Sequence, residues 1–304
     1  MKNKKKMEVS IGIPAYNEEN NIVNLLNALL NQKLNTVRIK EIIVVSDGST
    51  DSTVKKVRLF IRKNKKAKKI VRLISYKNRR GKWFAINRFL KAAKSEFLVL
   101  SSADIIPKSS TIESLCKPLL SEKIGVVASH IIPTNPQNTY LGFTVNLIYK
   151  LHHEISKISP KFGEMIAFKH VFKAVEKTAV DEEYIASMIL SKGFYGFYAE
   201  DAVVYNHGVE TIKDYIKQRR RIYCGHLELK KKKGYKAPTM NNLLILRLLM
   251  KELNLRSVDK IVFSLFMEGV ARFLGMLDYY RGLHHYKWDV AKSTKKIPKV
   301  LKER

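Results

Sequence analysis

Apolar β-branched runs that each end in a polar cluster constrain this chain more than any other feature. Glu8–Pro14 leads into Ala-Tyr-Asn-Glu-Glu19. Ile42–Val45 stops at Ser46-Asp-Gly-Ser-Thr-Asp51, and Phe97–Leu100 stops at Ser101-Ser-Ala-Asp104. Between them, Asn20–Leu34 carries Ile22, Val23, Leu25, Leu26, Leu29 and Leu30 at helical spacing, and Ser52–Lys63 and Gly81–Ala93 also read as helices. Ile70–Ser75 is a further strand. Apolar strands alternating with helices predict a mostly parallel sheet covered on both faces. Such sheets bind ligands at the carboxyl ends of their strands. The clusters at 16–19, 46–51 and 101–104 all fall at that end, so they predict a single site.

The rest of the chain reads as α+β and then as helix. Strands are expected at Ile124–His130, Ile166–Lys169, Phe194–Tyr198 and Ala202–Tyr205, with helices at Tyr140–Ile155, Asp181–Lys192 and Thr211–Leu229. After Lys230–Lys233 and Pro238 the composition shifts to two Leu-, Met- and Phe-rich helical stretches over Met240–Tyr280. The expected organisation is a domain over 1–235, with a nucleotide-binding half at about 8–105 and an acceptor half at about 106–235, and a helical extension over 236–304. Neither Leu243–Met250 nor Ile261–Leu277 reads as a membrane span, because the first is short and the second carries Glu268 and Arg272. Met1–Lys6 is basic, but the apolar run after it is too short for a secretory signal. The expected location is therefore cytoplasmic, with peripheral attachment to the inner membrane face.

Lys and Arg number 57 against 27 Asp and Glu, a formal charge of +30. Four readings suit that excess: a nucleic-acid partner, anionic lipid heads, an anionic substrate drawn to a positive cleft, or a lysine-rich surface. Two cysteines, Cys116 and Cys224, exclude a disulfide scaffold. His152-His153 and His284-His285 lack zinc-site spacing, while His207 and His226 are within reach of the cleft.

Four motifs carry a resemblance. Val9-Ser-Ile-Gly-Ile-Pro-Ala-Tyr-Asn-Glu-Glu19 resembles the opening strand of family 2 glycosyltransferases, and Ile43–Asp51 resembles their second strand and loop. Gly81-Lys-Trp-Phe-Ala-Ile-Asn87 is similar to their Gly-Lys-x-x-Ala-x-Asn helix start, and Ser102-Ala-Asp104 stands where they carry Asp-x-Asp. The resemblance covers roughly residues 8–226. It implies a Rossmann-like GT-A fold and an inverting transfer from a nucleotide-sugar donor, and the chain's tail at Tyr286–Lys295 resembles those of glycan-assembly transferases of the cell envelope.

The residues themselves suit that chemistry. Asp47 can accept from a uracil-type imide or, as a turn residue, from its own backbone. Glu18 can accept from ribose hydroxyls, Tyr16 offers a ring for stacking, and Pro14 fixes the exit from the strand. Lys82, near a helix N-terminus, suits a diphosphate or is a solvated lysine. Asp104 is the metal candidate for Mg²⁺ or Mn²⁺, with Ser102 replacing the family's first Asp and removing one charge. The family sets its base eleven residues before a Gly; counting back from Gly193 gives Glu182, with Asp181 as the alternative. Acidic residues there also suit a helix N-terminus. Gln218 and Arg221 match the Gln-x-x-Arg-Trp motif of polysaccharide synthases, with Ile222 in place of the Trp. Arg221 then faces the diphosphate.

The partners implied are a nucleotide-sugar donor of UDP or GDP type and a glycan or polyprenyl-lipid-linked acceptor. A nucleotidyltransferase and a basic nucleic-acid-binding protein are the competing classes. The second lacks any helix-turn-helix, finger or RNA-binding signature, so nucleic acid is not the expected partner.

Overall fold

The computed structural model describes residues 6–253 and 255–287. The chain runs β1 (Met7–Ala15), α1 (Ile22–Leu30), β2 (Val37–Asp47), α2 (Thr53–Lys63), α3 (Lys65–Ile70), β3 (Val71–Tyr76), α4 (Lys82–Ala92), β4 (Phe97–Ser101), β5 (Ile105–Pro107) and α5 (Thr111–Cys116). It continues with β6 (Ile124–Pro133), α6 (Tyr140–Ile158), β7 (Met165–Lys169), α7 (Asp181–Leu190), β8 (Tyr195–Asn206), α8 (Ile212–Lys233), α9 (Asn242–Glu252) and α10 (Val258–Tyr280).

The described strands form one sheet in the order β3-β2-β1-β4-β7-β6-β8-β5. The run β3-β2-β1-β4 is parallel throughout, as the alternation predicts. β7 then pairs antiparallel with β4 and with β6, β8 runs parallel to β6, and β5 closes the edge antiparallel to β8. Because β7 is reversed, its N-terminal end lies beside the carboxyl end of β4. That places residues 164–165 at the same edge as the polar clusters.

Strand periodicity divides the core into two layers. Ile42, Val44 and Val99 join Leu25, Leu26 and Leu29 of α1 on one face, with Ile112 of α5. Ile43, Val45, Leu98 and Leu100 join Ile86 and Phe89 of α4 on the other, with Ile185 of α7. Gly12 of β1 lies directly under Phe89; a Cβ there would come within 2.3 Å of the ring. The absence of a side chain at 12 is what lets α4 sit close to β1 and hold its N-terminus over the strand ends.

Several elements differ from the reading of the sequence. α1 ends at Leu30 rather than Leu34. The basic stretch 65–70 is helical, because Asn64 Oδ1 accepts from the amides of Lys66 and Ala67 at 3.0 Å each. The two strands expected over 194–205 are one, β8, whose pairing with β6 shifts register at Ser129/His130. β5 and α5 had no periodic signal of sufficient length.

α10 lies along α8 and α6. Met267 packs with Leu141, Val145 and Tyr215, and Ile261 with Leu147 and Leu249. Its Glu268 accepts from Arg219 Nη2 at 2.7 Å, Arg219 Nε at 2.9 Å and Arg272 Nε at 2.8 Å. Asp278, fully buried, accepts from Arg220. Among the described residues no helix is long and apolar enough to cross a membrane.

Candidate active site

The carboxyl ends of β1, β2 and β4 open on a cavity of about 830 Å³, walled by residues of α6, α7 and α8. Pro14, Tyr16, Glu18, Asp47, Lys82, Asp104, Glu182, Gln218 and Arg221 all line it, whereas Asp181 does not. Three strand ends and the starts of two helices therefore bring sequence-predicted residues to one place.

On the strand side, Asp47 is buried and its carboxylate accepts from Arg80 N at 2.9 Å and Gly81 N at 2.6 Å. These bonds reach the loop before α4, not Asp47's own turn, and so fix Gly81 and the helix start. Gly81 needs its freedom: its φ is +118°, and a Cβ would meet the Tyr286 carbonyl oxygen at 2.6 Å. Glu18, also buried, accepts from Asn21 Nδ2 at 2.9 Å. The Arg79 guanidinium stacks 3.9 Å from the centre of the Tyr16 ring.

At the start of α7 three successive acids have separate fates. Glu183 also lines the cavity, where Lys161 Nζ lies 2.7 Å from its Oε1 and Tyr235 Oη donates to its Oε2 at 2.5 Å. Glu182 faces the cavity and is ion-paired with Lys82. Asp181 is wholly buried, and neither of its carboxylate oxygens has a hydrogen-bond partner among the described residues. The electrostatics follow. Burial works to raise Glu182, but Lys82 outweighs it and holds the carboxyl below its ordinary range. Burial likewise works to lower Lys82, and Glu182 and Asp181 reverse that. Asp181 is pushed up to about 7, by burial first and then by the Glu182 charge.

α8 supplies the basic wall. Arg221 is half-buried and donates from Nη1 to the Ala179 carbonyl at 3.2 Å. Burial lowers it to about 10, against the pull of Asp181 and Glu182, so it is a cation at neutral pH. Gln218, one turn earlier, lines the cavity with it.

Beside Asp104 stands Glu164, which the sequence reading missed. Its φ is +49°, and its backbone carbonyl accepts from Ser102 N at 2.7 Å. Burial, then the Asp104 charge, push it up to about 7. Arg79, Lys161, His152 and His153 also line the cavity without having been singled out for it; they belong to no motif, and only folding brings them there. Of the histidines judged within reach, His226 lines the cavity with Nε2 unpartnered, while His207 is spent on Thr134 (3.0 Å) and Glu210 (2.9 Å).

The stretch after α10 returns to the site. His285 Nε2 lies 2.8 Å from Asp278 Oδ2, His284 Nδ1 2.7 Å from Glu228 Oε1, and His285 and Lys287 line the cavity. Most of the tail segment Tyr286–Lys295 lies outside the described residues.

Among the described residues no group of three or more His, Cys, Asp or Glu side chains is arranged to hold a metal. The donors near β4 are nevertheless hard oxygens: the carboxylates of Asp104 and Glu164 and the Ser102 hydroxyl. Such a set suits Mg²⁺ or Mn²⁺ that draws its remaining ligands from phosphates.

The fold is that of known sugar-transfer enzymes. A mannosyltransferase of Pyrobaculum calidifontis, in complex with GDP-Man and Mn²⁺, matches with a TM-score of 0.66 over 91% of this chain and 88% of its own, at 19% identity. A glucosyl-3-phosphoglycerate synthase of Mycobacterium tuberculosis, in complex with Mn²⁺ and UDP-glucose, matches with a TM-score of 0.51 over 75% and 79%, at 18% identity. Among sequences, a dolichyl-phosphate beta-glucosyltransferase of Dictyostelium discoideum is 28% identical over 139 residues, 42% of each chain. Its Mus musculus namesake is 32% identical over 117 residues, 37% of this chain and 36% of its own. The chain thus spans about two fifths of the length of these relatives. The sequence model of Glycosyl transferase family 2 matches residues 10–174, just over half of the 304. With the strand-end motifs on one cavity edge and that match running through β1, β2, α4 and β4, the chain belongs to glycosyl transferase family 2.

Proposed function

We propose that this protein transfers a sugar from a UDP- or GDP-type donor to an acceptor hydroxyl or to a lipid-linked phosphate or glycan, by a single inverting displacement. The observation that carries the reading is the meeting of Glu182, Lys82, Arg221 and Asp104, from four separate segments, in one cavity. Tyr16, Glu18 and Asp47 line the part that suits the nucleoside. Lys82 and Arg221 provide fixed positive charge for the diphosphate, where charge builds as the glycosidic bond breaks. Glu182 accepts the acceptor's proton. A diphosphate drawn to Lys82 competes with Glu182 for the ammonium, which loosens the ion pair and makes Glu182 a stronger base when donor is present. A divalent cation held by Asp104 would neutralise leaving-group charge. Donors of both nucleotide types in the two neighbouring structures, and the dolichyl-phosphate acceptor in the names of the sequence relatives, support this reading.

The test is a panel of UDP- and GDP-sugars with Mn²⁺ and polyprenyl phosphate, read as nucleoside diphosphate released and glycolipid formed. We expect one donor to give both. Release of pyrophosphate instead would favour the nucleotidyltransferase reading, and tight DNA or RNA binding without release would favour the nucleic-acid reading.

We further propose that α9 and α10 rest on the anionic membrane face from which such an acceptor is drawn. Leu243, Met250, Val262 and Phe266 are each at least 60% exposed, and Arg247, Lys251 and Arg256 are exposed beside them. Apolar side chains rimmed by cations match an anionic lipid surface, at about 1 kcal/mol per basic residue, screened by salt. The protein is expected to float with phosphatidylglycerol vesicles at low salt and to be largely released at high salt. Failure to float, or equal flotation with phosphatidylcholine vesicles, would contradict the charge-based attachment.

A further inference from the structure

We propose that Glu164 supplies the second metal-side carboxylate that the chain lacks at position 102, so that Asp104 and Glu164, beside the adjoining ends of β4 and β7, hold the divalent cation together. The inference rests on the nucleotide-sugar reading and concerns how this chain holds the cation it implies.

Sheet register sets Glu164 next to Ser102. β4 and β7 are antiparallel and pair Ser101 with Met165. The next step of that ladder is the bond from Ser102 N to Glu164 O at 2.7 Å, so residue 164 is the cross-strand neighbour of residue 102. A carboxylate on the longer Glu side chain at 164 can therefore reach the space that an acid at 102 would fill, while the short Ser102 leaves that space open. Ser102, Asp104 and Glu164 all line the cavity.

Charge points the same way. Asp104 and Glu164 are close enough to repel each other. Among the described residues neither forms an ion pair, and the cation that most offsets Glu164, Lys82, is ion-paired with Glu182. The carboxylates of Asp104 and Glu164 thus have as nearby cation only an ammonium already ion-paired with a third carboxylate, among the described residues. A hard divalent cation sharing the donor diphosphate provides a counter-charge.

The test measures Mn²⁺ binding by the free-ion EPR signal, with UDP or GDP present, on the full chain. The variants are Glu164→Gln, Asp104→Asn and the double variant Ser102→Asp/Glu164→Gln, each first checked by its thermal transition. Gln keeps the size and shape of Glu, so a purely structural Glu164 predicts unchanged Mn²⁺ affinity. We expect Glu164→Gln to weaken Mn²⁺ on the order of tenfold or more, Asp104→Asn to weaken it similarly, and the double variant to regain most of the loss. Unchanged Mn²⁺ affinity in a folded Glu164→Gln protein overturns the proposal, as does a double variant that recovers nothing. If the wild type binds nucleotide with no uptake of Mn²⁺, the proposal fails and the donor reading stands. If it binds no UDP, GDP or their sugars at all, the donor reading fails and the proposal falls with it.

Discussion

Replacing Glu182 by Gln is expected to lower transfer about 10²–10⁴-fold, the usual loss when a general base is removed, with donor affinity kept or raised, because the diphosphate no longer competes with Glu182 for Lys82. Glu182 lines the cavity and Asp181 does not, although the two are adjacent in the chain. Successive residues of a helix point about 100° apart; here Glu182 and Glu183 reach the cavity, and Asp181 is wholly buried. Asp181→Asn removes a buried carboxyl with no hydrogen-bond partner and is expected to leave turnover close to that of the wild type. The pH profile separates the two as well. A base works only when deprotonated, so activity falls as pH drops through its pKa. Lys82 holds Glu182 below the ordinary carboxylate range, which predicts an acidic limb well below neutrality in the free enzyme, read from kcat/KM. Were Asp181 the base, the limb would fall near pH 7. Full activity in Glu182→Gln, with loss in Asp181→Asn, would move the assignment by one residue.

That pair also shows how far the site is legible in the sequence. The parallel half of the sheet was legible because buried strands alternate with amphipathic helices and each strand end carries a polar cluster; β1, β2 and β4 sit where the pattern required. The spacing from Gly193 singled out Glu182, and it is Glu182 that faces the cavity. The pairing of β7 was not legible. Nothing in the composition of Met165–Lys169 says that it inserts antiparallel between β4 and β6, and that reversal is what sets Glu164 beside Ser102. The use of Asp47 on the backbone of residues 80–81 was hidden for the same reason: it depends on the loop before α4 folding back over β2. Helix α3 was missed because its lysines mask a helix that is set by the Asn64 cap rather than by an apolar stripe.

Glu268→Gln is expected to cost about 3 kcal/mol of stability, at the lower end for breaking a buried ion pair, because it leaves two guanidinium groups without their shared partner. Glu268 and Arg219 are each less than one-fifth exposed, and the carboxylate takes the paired donors of Arg219 and the Nε of Arg272. Burial works to raise Glu268, but Arg219 and then Arg272 outweigh it and hold the carboxyl far below its ordinary range. A group whose folded pKa is depressed contributes its stability above the unfolded pKa and loses it as pH falls toward the folded one. The difference between wild type and Glu268→Gln should therefore be full at neutral pH and shrink once pH drops below about 4, the ordinary range of a free Glu. Urea midpoints at pH 7 and pH 3 would measure it; an equal difference at both values would mean that the side chain acts by packing rather than by charge. The consequence reaches the site, because Arg219 lies between Gln218 and Arg221 on α8. Losing the anchor between α8 and α10 lets the basic wall shift, so the folded fraction of Glu268→Gln should show a raised KM for donor, with kcat less affected.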